Sequence, residues 1–426
     1  MFFLNIPARL KNLAREEPIT FRYVMDGLLV GSAIHISSNT HNLFAIRLGA
    51  NDYQLSLVFF LPQILNMLIL IPGGLFIDSL KNKRQAMIVA LMLCALGYIF
   101  SSLSPFVFGF SIVFFLASIS LAGGAMALHT ISWQSYFPEI VKESSRNRVI
   151  TLRSSTVVFI SMVAPLLVGV VLMLFKTTDG KIVAHQGLFI LTVLFFLFSA
   201  YNFHKFPQVE SAESKKISFI EVKKAVKSLL RNKPFLFFTS VILFFYMTWH
   251  MDWTLYFIGQ VTYLNMNEFQ VGLVVVCGTA VQLLTLKFWS RKNERYGVVL
   301  PFVFGILGLS LCPISMIIAV SLPVTIGPHL FLIFHAIANI TFPVIVLNHY
   351  QCLLKVIGTE NKSFTLSVFA CIVCLSNAIM PVAGVALYHA LGGDLNALRN
   401  AFWIVFSLRI AAALLWLFRW RVTREV

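Results

Sequence analysis

Long apolar runs alternate with short polar segments along the chain, from about residue 22 to residue 421. A helix needs about 20 apolar residues to cross a hydrocarbon core of roughly 30 Å, and most of the runs reach that length. Lipid offers the backbone no hydrogen-bond partners, so runs of this kind must form helices or a closed barrel. They are too long and too uniformly apolar for the alternating strands of a barrel. The pattern therefore predicts an all-α polytopic membrane protein.

Composition supports this prediction, because only 12% of the residues are charged, against about a quarter in a soluble domain. We place twelve transmembrane helices, numbered as spans 1 to 12, at residues 22–48, 54–78, 85–104, 107–137, 149–175, 186–204, 234–260, 268–290, 297–320, 328–352, 363–390 and 398–421.

The distribution of basic residues predicts how the spans are oriented. Of the 33 Lys and Arg residues, 28 lie in or beside the two termini and alternate loops, whereas 4 lie on the opposite side. Basic loops stay in the cytoplasm, so both termini are expected there. The same distribution explains the net charge of +16 without a nucleic-acid partner, because the charges form no contiguous domain. We predict an integral, multi-pass protein of the bacterial plasma membrane.

The longest polar segment divides the twelve spans into two six-helix halves. Within it, Ser218 and Glu221 form a capping box before an amphipathic helical pattern, which predicts a helix on the membrane surface. The predicted organisation is a cytoplasmic interfacial N-terminus (1–21), an N-terminal half (22–204), a linker (205–233), a C-terminal half (234–421) and a tail (422–426).

Two pairs of positions indicate that the halves are repeats. Asp78, at the end of span 2, and Glu294, just after span 8, lie 216 residues apart, and Pro165 and Pro381 have the same offset. Two identical offsets and equal span counts favour a parallel two-fold repeat.

The segment "GGLFIDSLKNKR" at 73–84 resembles the loop between spans 2 and 3 of the major facilitator superfamily of secondary transporters. The resemblance extends over the twelve spans, the long central loop and a degenerate copy, "ERYG", at 294–297. In that family such loops close the cytoplasmic side, and Asp78 would pair with Arg146 or Arg148. Alternatively, Asp78 is a solvated acid that only helps to fix topology. The gating residues that the resemblance predicts are Gly74, Asp78, Lys83, Arg84, Arg146, Arg148, Glu294 and Arg295.

Polar side chains concentrate on spans 1, 4, 7 and 10, which line the central cavity in the superfamily. Seven of the ten histidines lie there. Polar groups in a bilayer face protein or water, so one shared cavity is favoured over simple hydrogen bonding between helices. The predicted cavity residues are His35, Asn39, His129, Trp133, Trp249, His250, His335 and Asn339.

Asp252 is the acid that lies deep in a predicted cavity-lining span, which makes it the first candidate for proton coupling. Asp26, nearer the cytoplasmic end of span 1, is the second candidate. The sequence assigns no role to Arg409, which lies inside span 12.

These features predict a monomeric secondary transporter that moves a small organic solute across the membrane by alternating access, coupled to protons. Export is slightly favoured, because "APLLVG" at 164–169 partly matches a glycine-rich motif of span 5 in many antiporters of the superfamily. Import, a non-transporting sensor or scaffold, and a lipid-modifying enzyme are the alternatives. Membrane lipid is the other expected partner. The chain is not expected to be an enzyme or to need a cofactor or metal, because it carries neither HExxH nor GxSxG.

Overall fold

A computed structural model describes residues 13–80, 82–209, 227–357 and 362–423. Among these residues, eleven helical segments are long and apolar enough to cross a membrane. Each corresponds in order to one of the predicted spans 2 to 12, and no end differs from its prediction by more than eight residues. The segments are Asp52–Leu70, Lys83–Phe106, Ser111–Ile140, Glu143–Met173, Thr178–His204, Lys233–Tyr263, Glu268–Tyr296, Val299–Val320, Gly327–Val356, Thr365–Ala390 and Leu395–Thr423.

The predicted span 1 differs from the others. It forms two helices, Pro18–Ser38 and His41–Arg47, and is not among the eleven segments. Arg22 and Asp26 lie inside its first helix, which lowers its apolar character. A total of twelve spans, and the orientation of the termini, therefore stay predictions.

Contacts group the chain into two compact units. The first unit contains Met1–Gly49 and Leu68–Lys216, and the second contains Ala50–Met67 and Ile217–Val426. The capping box and most of the predicted surface helix of the linker lie outside the described residues, as do residues 1–12 of the predicted interfacial N-terminus, whereas 227–231, the last part of that predicted helix, is helical. The division into two six-helix halves stays a prediction.

Aromatic side chains form much of the core of each unit. In the first unit, the Tyr23 ring meets the Phe137 ring edge-on at 5.2 Å and the Phe206 ring at 5.0 Å. In the second unit, fully buried Trp416 lies 4.6 Å from Phe302, again edge to face. These contacts between distant parts of the chain hold the helices of each unit together.

Three spans of the second unit are interrupted near their middles. Span 9 breaks at Ser310, between the helices Val299–Leu309 and Leu311–Val320. The carbonyl of Leu309 would normally bind the amide four residues later, but that residue is Pro313, which has no N–H. Span 10 breaks at a 3₁₀ turn, Asn339–Thr341, where Pro343 has the same relation to Asn339.

Span 7 is interrupted at Met251 and Asp252, between the helices Lys233–His250 and Trp253–Ile258. The backbone of span 11 lies directly against this break. A Cβ atom at Gly384 would overlap the carbonyl oxygen of Met251, so only glycine fits at that position without rearrangement. The sequence predicted span 7 as continuous, and the break is a feature that it did not predict.

Candidate substrate site

The break in span 7 holds Asp252 at the start of a new helix. Asp252 has φ −95° and ψ 2° and precedes the helix Trp253–Ile258, which continues into a π-helical turn, Gly259–Tyr263. Helix interruptions and π turns leave backbone groups free for other partners, and they are common at functional sites. Asp252, the most buried acid among the described residues of the second unit, therefore lies at an irregular point of its helix.

Asp252 forms a buried ion pair with Arg409 of span 12. Nη2 of Arg409 donates to Oδ2 of Asp252 over 2.7 Å, and the side chains are 1% and 0% exposed. A buried charge is costly unless it is paired. Each residue thus supplies the partner that makes burial of the other possible.

Arg409 also binds the backbone at two of the interruptions. Its Nη1 donates to the Leu309 carbonyl oxygen at 2.8 Å, and its Nη2 donates to that of Trp249 at 3.4 Å. The Leu309 carbonyl is available because of Pro313. The guanidinium therefore connects the breaks in spans 7 and 9.

A cavity of about 300 Å³ opens beside this ion pair. That volume is at the lower end of the range for small-molecule sites. Within the described residues, Oδ1 of Asp252 and Nε of Arg409 are buried without a hydrogen-bond partner. The lining is mainly aromatic with a few polar groups: Phe59, Trp249, Asp252, Trp253, Tyr256, Gln260, Leu309, Cys312, His335, Asn339, Phe342 and Arg409.

Three of the predicted cavity residues, Trp249, His335 and Asn339, line this cavity together with Asp252. Although it was predicted with them, His250 is not part of the lining. Its Nδ1 atom lies 3.1 Å from Oγ of Ser376, and its ring packs edge-on against Trp253 at 4.8 Å. His250 therefore packs behind the cavity wall, against the lining residue Trp253.

The predicted His/Asn pairs share an unexpected geometry. Nδ2 of Asn339 donates to the backbone carbonyl of His335 at 2.8 Å, and Nδ2 of Asn39 donates to that of His35 at 2.6 Å. Each asparagine is at the C-terminal end of a helix that is interrupted there. The i, i+4 spacing thus reflects two similar helix ends, with the asparagine bonded to the backbone and not to the imidazole.

Asp26, in the first unit, also forms a buried ion pair. Its Oδ2 accepts from Nε of Arg153 at 2.9 Å, and its Oδ1 accepts from the Ser199 hydroxyl at 3.1 Å. The Arg153 guanidinium lies 4.7 Å from the centre of the Trp133 ring. Predicted cavity residue His129 is buried, with its ring edge-on to Phe203 at 5.8 Å. Participation of these first-unit residues in a shared cavity stays a prediction.

The predicted gating residues Lys83 and Arg84 begin span 3 and bind different partners. Nζ of Lys83 forms a largely buried ion pair of 2.6 Å with Glu139, at the end of span 4. Arg84 donates to the backbone carbonyls of His204 and Phe206, at the end of span 6. Together they tie three helix ends of the first unit.

Arg146 and Arg148 are both engaged after span 4. Arg146 donates to the carbonyls of Val141 and Pro138. Arg148 pairs with Glu17 over 2.8 Å. The Asp78 side chain lies outside the described part of the structure, so its pairing with either arginine stays a prediction.

The other predicted gating residues, Gly74, Glu294 and Arg295, are less closely packed. A Cβ added at Gly74 would meet no atom within 4 Å, whereas one at Gly73 would lie 3.0 Å from Cδ2 of Leu128. Of these two adjacent glycines, Gly73 is the one that lies close to a neighbouring helix. Glu294 and Arg295 are both exposed.

Sequence reasoning missed several lining residues. Tyr256 and Gln260 lie in the part of span 7 that follows its break, Leu309 and Cys312 lie beside the break in span 9, and none carries a pattern of its own. Arg409 did carry a signal: a lone cation inside one apolar span and a lone acid inside another of the same half are both costly unless they pair.

Comparison with known proteins agrees with the fold. The family model of the Major Facilitator Superfamily matches residues 20–351. The chain therefore belongs to the major facilitator superfamily of membrane transporters, as the span 2–3 segment indicated. No curated protein sequence matches the chain.

Solved structures of transporters share the fold at low sequence identity. A nucleoside transporter has a TM-score of 0.73 and 10% identity over 93% of this chain and 98% of that one. A POT family transporter in complex with 5-aminolevulinic acid has a TM-score of 0.71 and 13% identity, over 94% and 95%. A D-xylose-proton symporter has a TM-score of 0.70 and 14% identity, over 93% and 96%. At these identities the similarity establishes the fold alone.

Proposed function

We propose that this protein is a secondary active transporter that moves a small organic solute by alternating access, coupled to protons, with export favoured over import. The observation that carries the proposal is the cavity beside Asp252 and Arg409, inside apolar spans of a transporter-superfamily chain. Ionisable residues inside a membrane are expensive and usually mark a transport pathway.

The cavity lining favours a neutral, zwitterionic or amphipathic solute. Its aromatic walls can bury apolar surface, while Gln260, His335 and Asn339 can fix the orientation of polar groups. Among the described lining residues, the charged side chains are the Asp252 carboxylate and the Arg409 guanidinium, which neutralise one another. A solute with a strong net charge would have to break that pair.

Asp252 is the proposed proton carrier. Protonation of its carboxylate would remove the negative charge that holds Arg409, while the arginine would keep its bonds to the Leu309 and Trp249 carbonyls. The pair can thus separate without leaving the guanidinium wholly unbonded. The fold is shared with a D-xylose-proton symporter, which supports proton coupling as the mode. Asp26, held by Arg153, is the second candidate.

Gating is proposed for the loop between spans 2 and 3 and for its degenerate copy between spans 8 and 9. Lys83 and Arg84 already tie helix ends together at this level, which supports a mechanical role for the segment. Asp78 and Glu294 are the proposed acids of the two copies. Export follows from the partial match at Pro165 and Gly169. A monomer in the bacterial plasma membrane, with its basic loops in the cytoplasm, completes the proposal.

A screen followed by flux measurements tests the function. Small solutes are first ranked by the increase in melting temperature that they give the purified protein. The best is then loaded into proteoliposomes, and its flux is measured with and without a pH gradient. Saturable flux driven by the gradient supports the proposal. Binding without flux favours a sensor, and chemical conversion of a lipid favours an enzyme.

The direction of net movement decides between export and import. The test uses vesicles in which the protein has one known orientation. If the protein is an exporter, a proton gradient directed toward the predicted cytoplasmic side should drive solute away from that side. Movement of solute together with protons from the opposite side would identify an importer.

A further inference from the structure

A second, smaller cavity lies at one end of spans 8 and 9. Its volume is about 210 Å³, and its lining consists of six apolar or aromatic residues and one lysine: Phe288, Trp289, Lys292, Tyr296, Leu300, Pro301 and Phe304. Phe288 is 52% exposed and Phe304 is 53% exposed, so the groove is open along its outer side. This groove shares no lining residue with the candidate substrate site.

Aromatic rings hold two cations at the groove. Nζ of Lys292 lies 5.4 Å from the ring centres of both Phe288 and Tyr296, which are four residues before and after it on the same helix face. The Arg295 guanidinium lies 5.2 Å from the centre of the same Tyr296 ring. Cation–π contacts position both charges without neutralising them.

The positive charge here lacks a counter-ion within the described residues. No ion pair joins Lys292 or Arg295 to a carboxylate in those parts of the chain, although Glu294 is adjacent in sequence. Lys287 and Arg291 precede them on the same helix, so four cations accompany one acid. Such a surface attracts anions.

The first unit carries a groove at equivalent positions. With the 216-residue offset, Lys292 corresponds to Phe76 and Tyr296 to Leu80, and both of these line a cavity of about 390 Å³. The polar members of its described lining are Asn82 and Gln85, and none of these described lining residues is charged. Equivalent helix ends therefore form a largely apolar groove in each unit, and the lining of the second groove contains Lys292.

We infer that the groove between spans 8 and 9 binds an anionic phospholipid of the surrounding leaflet. One acyl chain lies along Leu300, Pro301 and Phe304, and the headgroup phosphate is bound by Lys292 and Arg295. A lipid fits better than a soluble anion because the lining is chiefly apolar and open along its outer side. Basic clusters beside helix ends are the usual binding sites for anionic headgroups. The inference is independent of whether the protein transports a solute.

Lipid binding to the purified full chain in neutral detergent tests this inference. Palmitoyl-oleoyl-phosphatidylglycerol is titrated against palmitoyl-oleoyl-phosphatidylcholine, with bound lipid counted by native mass spectrometry. We expect the wild type to prefer phosphatidylglycerol. One lysine beside a membrane surface contributes about a fivefold preference for anionic lipid. Lys292→Gln should lose a preference of that size, and Lys292→Arg should keep most of it.

Lys287→Gln is the matched control, because it removes the same charge from an exposed residue outside the groove lining. It should keep the wild-type preference. Melting temperatures with each lipid show whether the variants fold, and phosphatidylglycerol should stabilise the wild type and Lys287→Gln more than Lys292→Gln. An unchanged preference in Lys292→Gln, or an equal loss in both glutamine variants, would overturn the inference. Competition by inorganic phosphate as effective as that by the lipid would also overturn it, because the acyl chain would then be irrelevant.

Discussion

The Arg409 guanidinium and the Asp252 carboxylate meet at 2.7 Å, although 157 residues separate them in the chain. Both are buried, and each would be unfavourable without the other. The arginine also binds the carbonyl of Leu309, which Pro313 leaves free. The ion pair therefore links continuous span 12 to the breaks in spans 7 and 9.

Breaking this pair should destabilise the protein strongly. Arg409→Gln leaves the Asp252 carboxylate buried without its partner, and we expect a loss of about 3–5 kcal/mol in the free energy of unfolding. Arg148→Gln is the control, because its pair with Glu17 involves an arginine side chain that is 62% exposed. Removing an exposed pair should cost at most about 1 kcal/mol.

Detergent titration with sodium dodecyl sulfate measures both losses. The double variant Arg409→Gln, Asp252→Asn should recover part of the stability, because it buries no unpaired charge. Equal losses of unfolding free energy in Arg409→Gln and Arg148→Gln would show that the buried pair contributes no more to stability than the exposed pair.

Gly384 should resist replacement even by alanine. A Cβ atom there would overlap the Met251 carbonyl oxygen at the break in span 7, so Gly384→Ala must displace a helix and should lower the melting temperature. Gly187→Ala is the matched control, because a Cβ at that helical position meets no atom within 4 Å. Alanine should stabilise a helix there by about 0.5–1 kcal/mol. The two substitutions should therefore shift the melting temperature in opposite directions. An increase in both variants, or a decrease in both, would contradict the packing at Gly384.

Asp252→Asn should abolish proton coupling without preventing movement of the solute. The amide cannot carry a proton, so flux driven by a pH gradient should be lost while exchange of solute by counterflow remains. Asp26→Asn is the comparison, because Asp26 is also buried against an arginine. If Asp252→Asn keeps gradient-driven flux and Asp26→Asn loses it, Asp26 is the coupling acid.

Asp78→Asn should slow transport more than it weakens solute binding. Asp78 is the residue before the last one of the helix Asp52–Ser79, at the predicted closing interface. The rate of counterflow and the solute dissociation constant are measured on the same preparation. Asp179→Asn, which alters an exposed acid, should change neither. Normal flux with weakened binding would assign Asp78 a different role.

The extent of the spans was largely predictable because lipid imposes a minimum apolar length, and the limits of Leu395–Thr423 and Lys233–Tyr263 follow from that requirement. The interruptions were not predictable to the same degree. Pro313 and Pro343 indicate which carbonyls are freed, but the break at Asp252 depends on packing against Gly384, 132 positions further along the chain. The partner of Arg409 was likewise set by tertiary packing, so the sequence could show only that it needed one.

The affinity of Trp253→Ala for the solute that the stability screen identifies tests most directly whether the transported solute binds in the second-unit cavity. Trp253 forms part of the aromatic wall, whereas Trp403 is 48% exposed and is absent from the lining. Titration calorimetry should show affinity reduced about tenfold in Trp253→Ala, as expected for the loss of a stacked aromatic contact, and unchanged in Trp403→Ala. Wild-type affinity in Trp253→Ala, or an equal reduction in both variants, would contradict this location of the site.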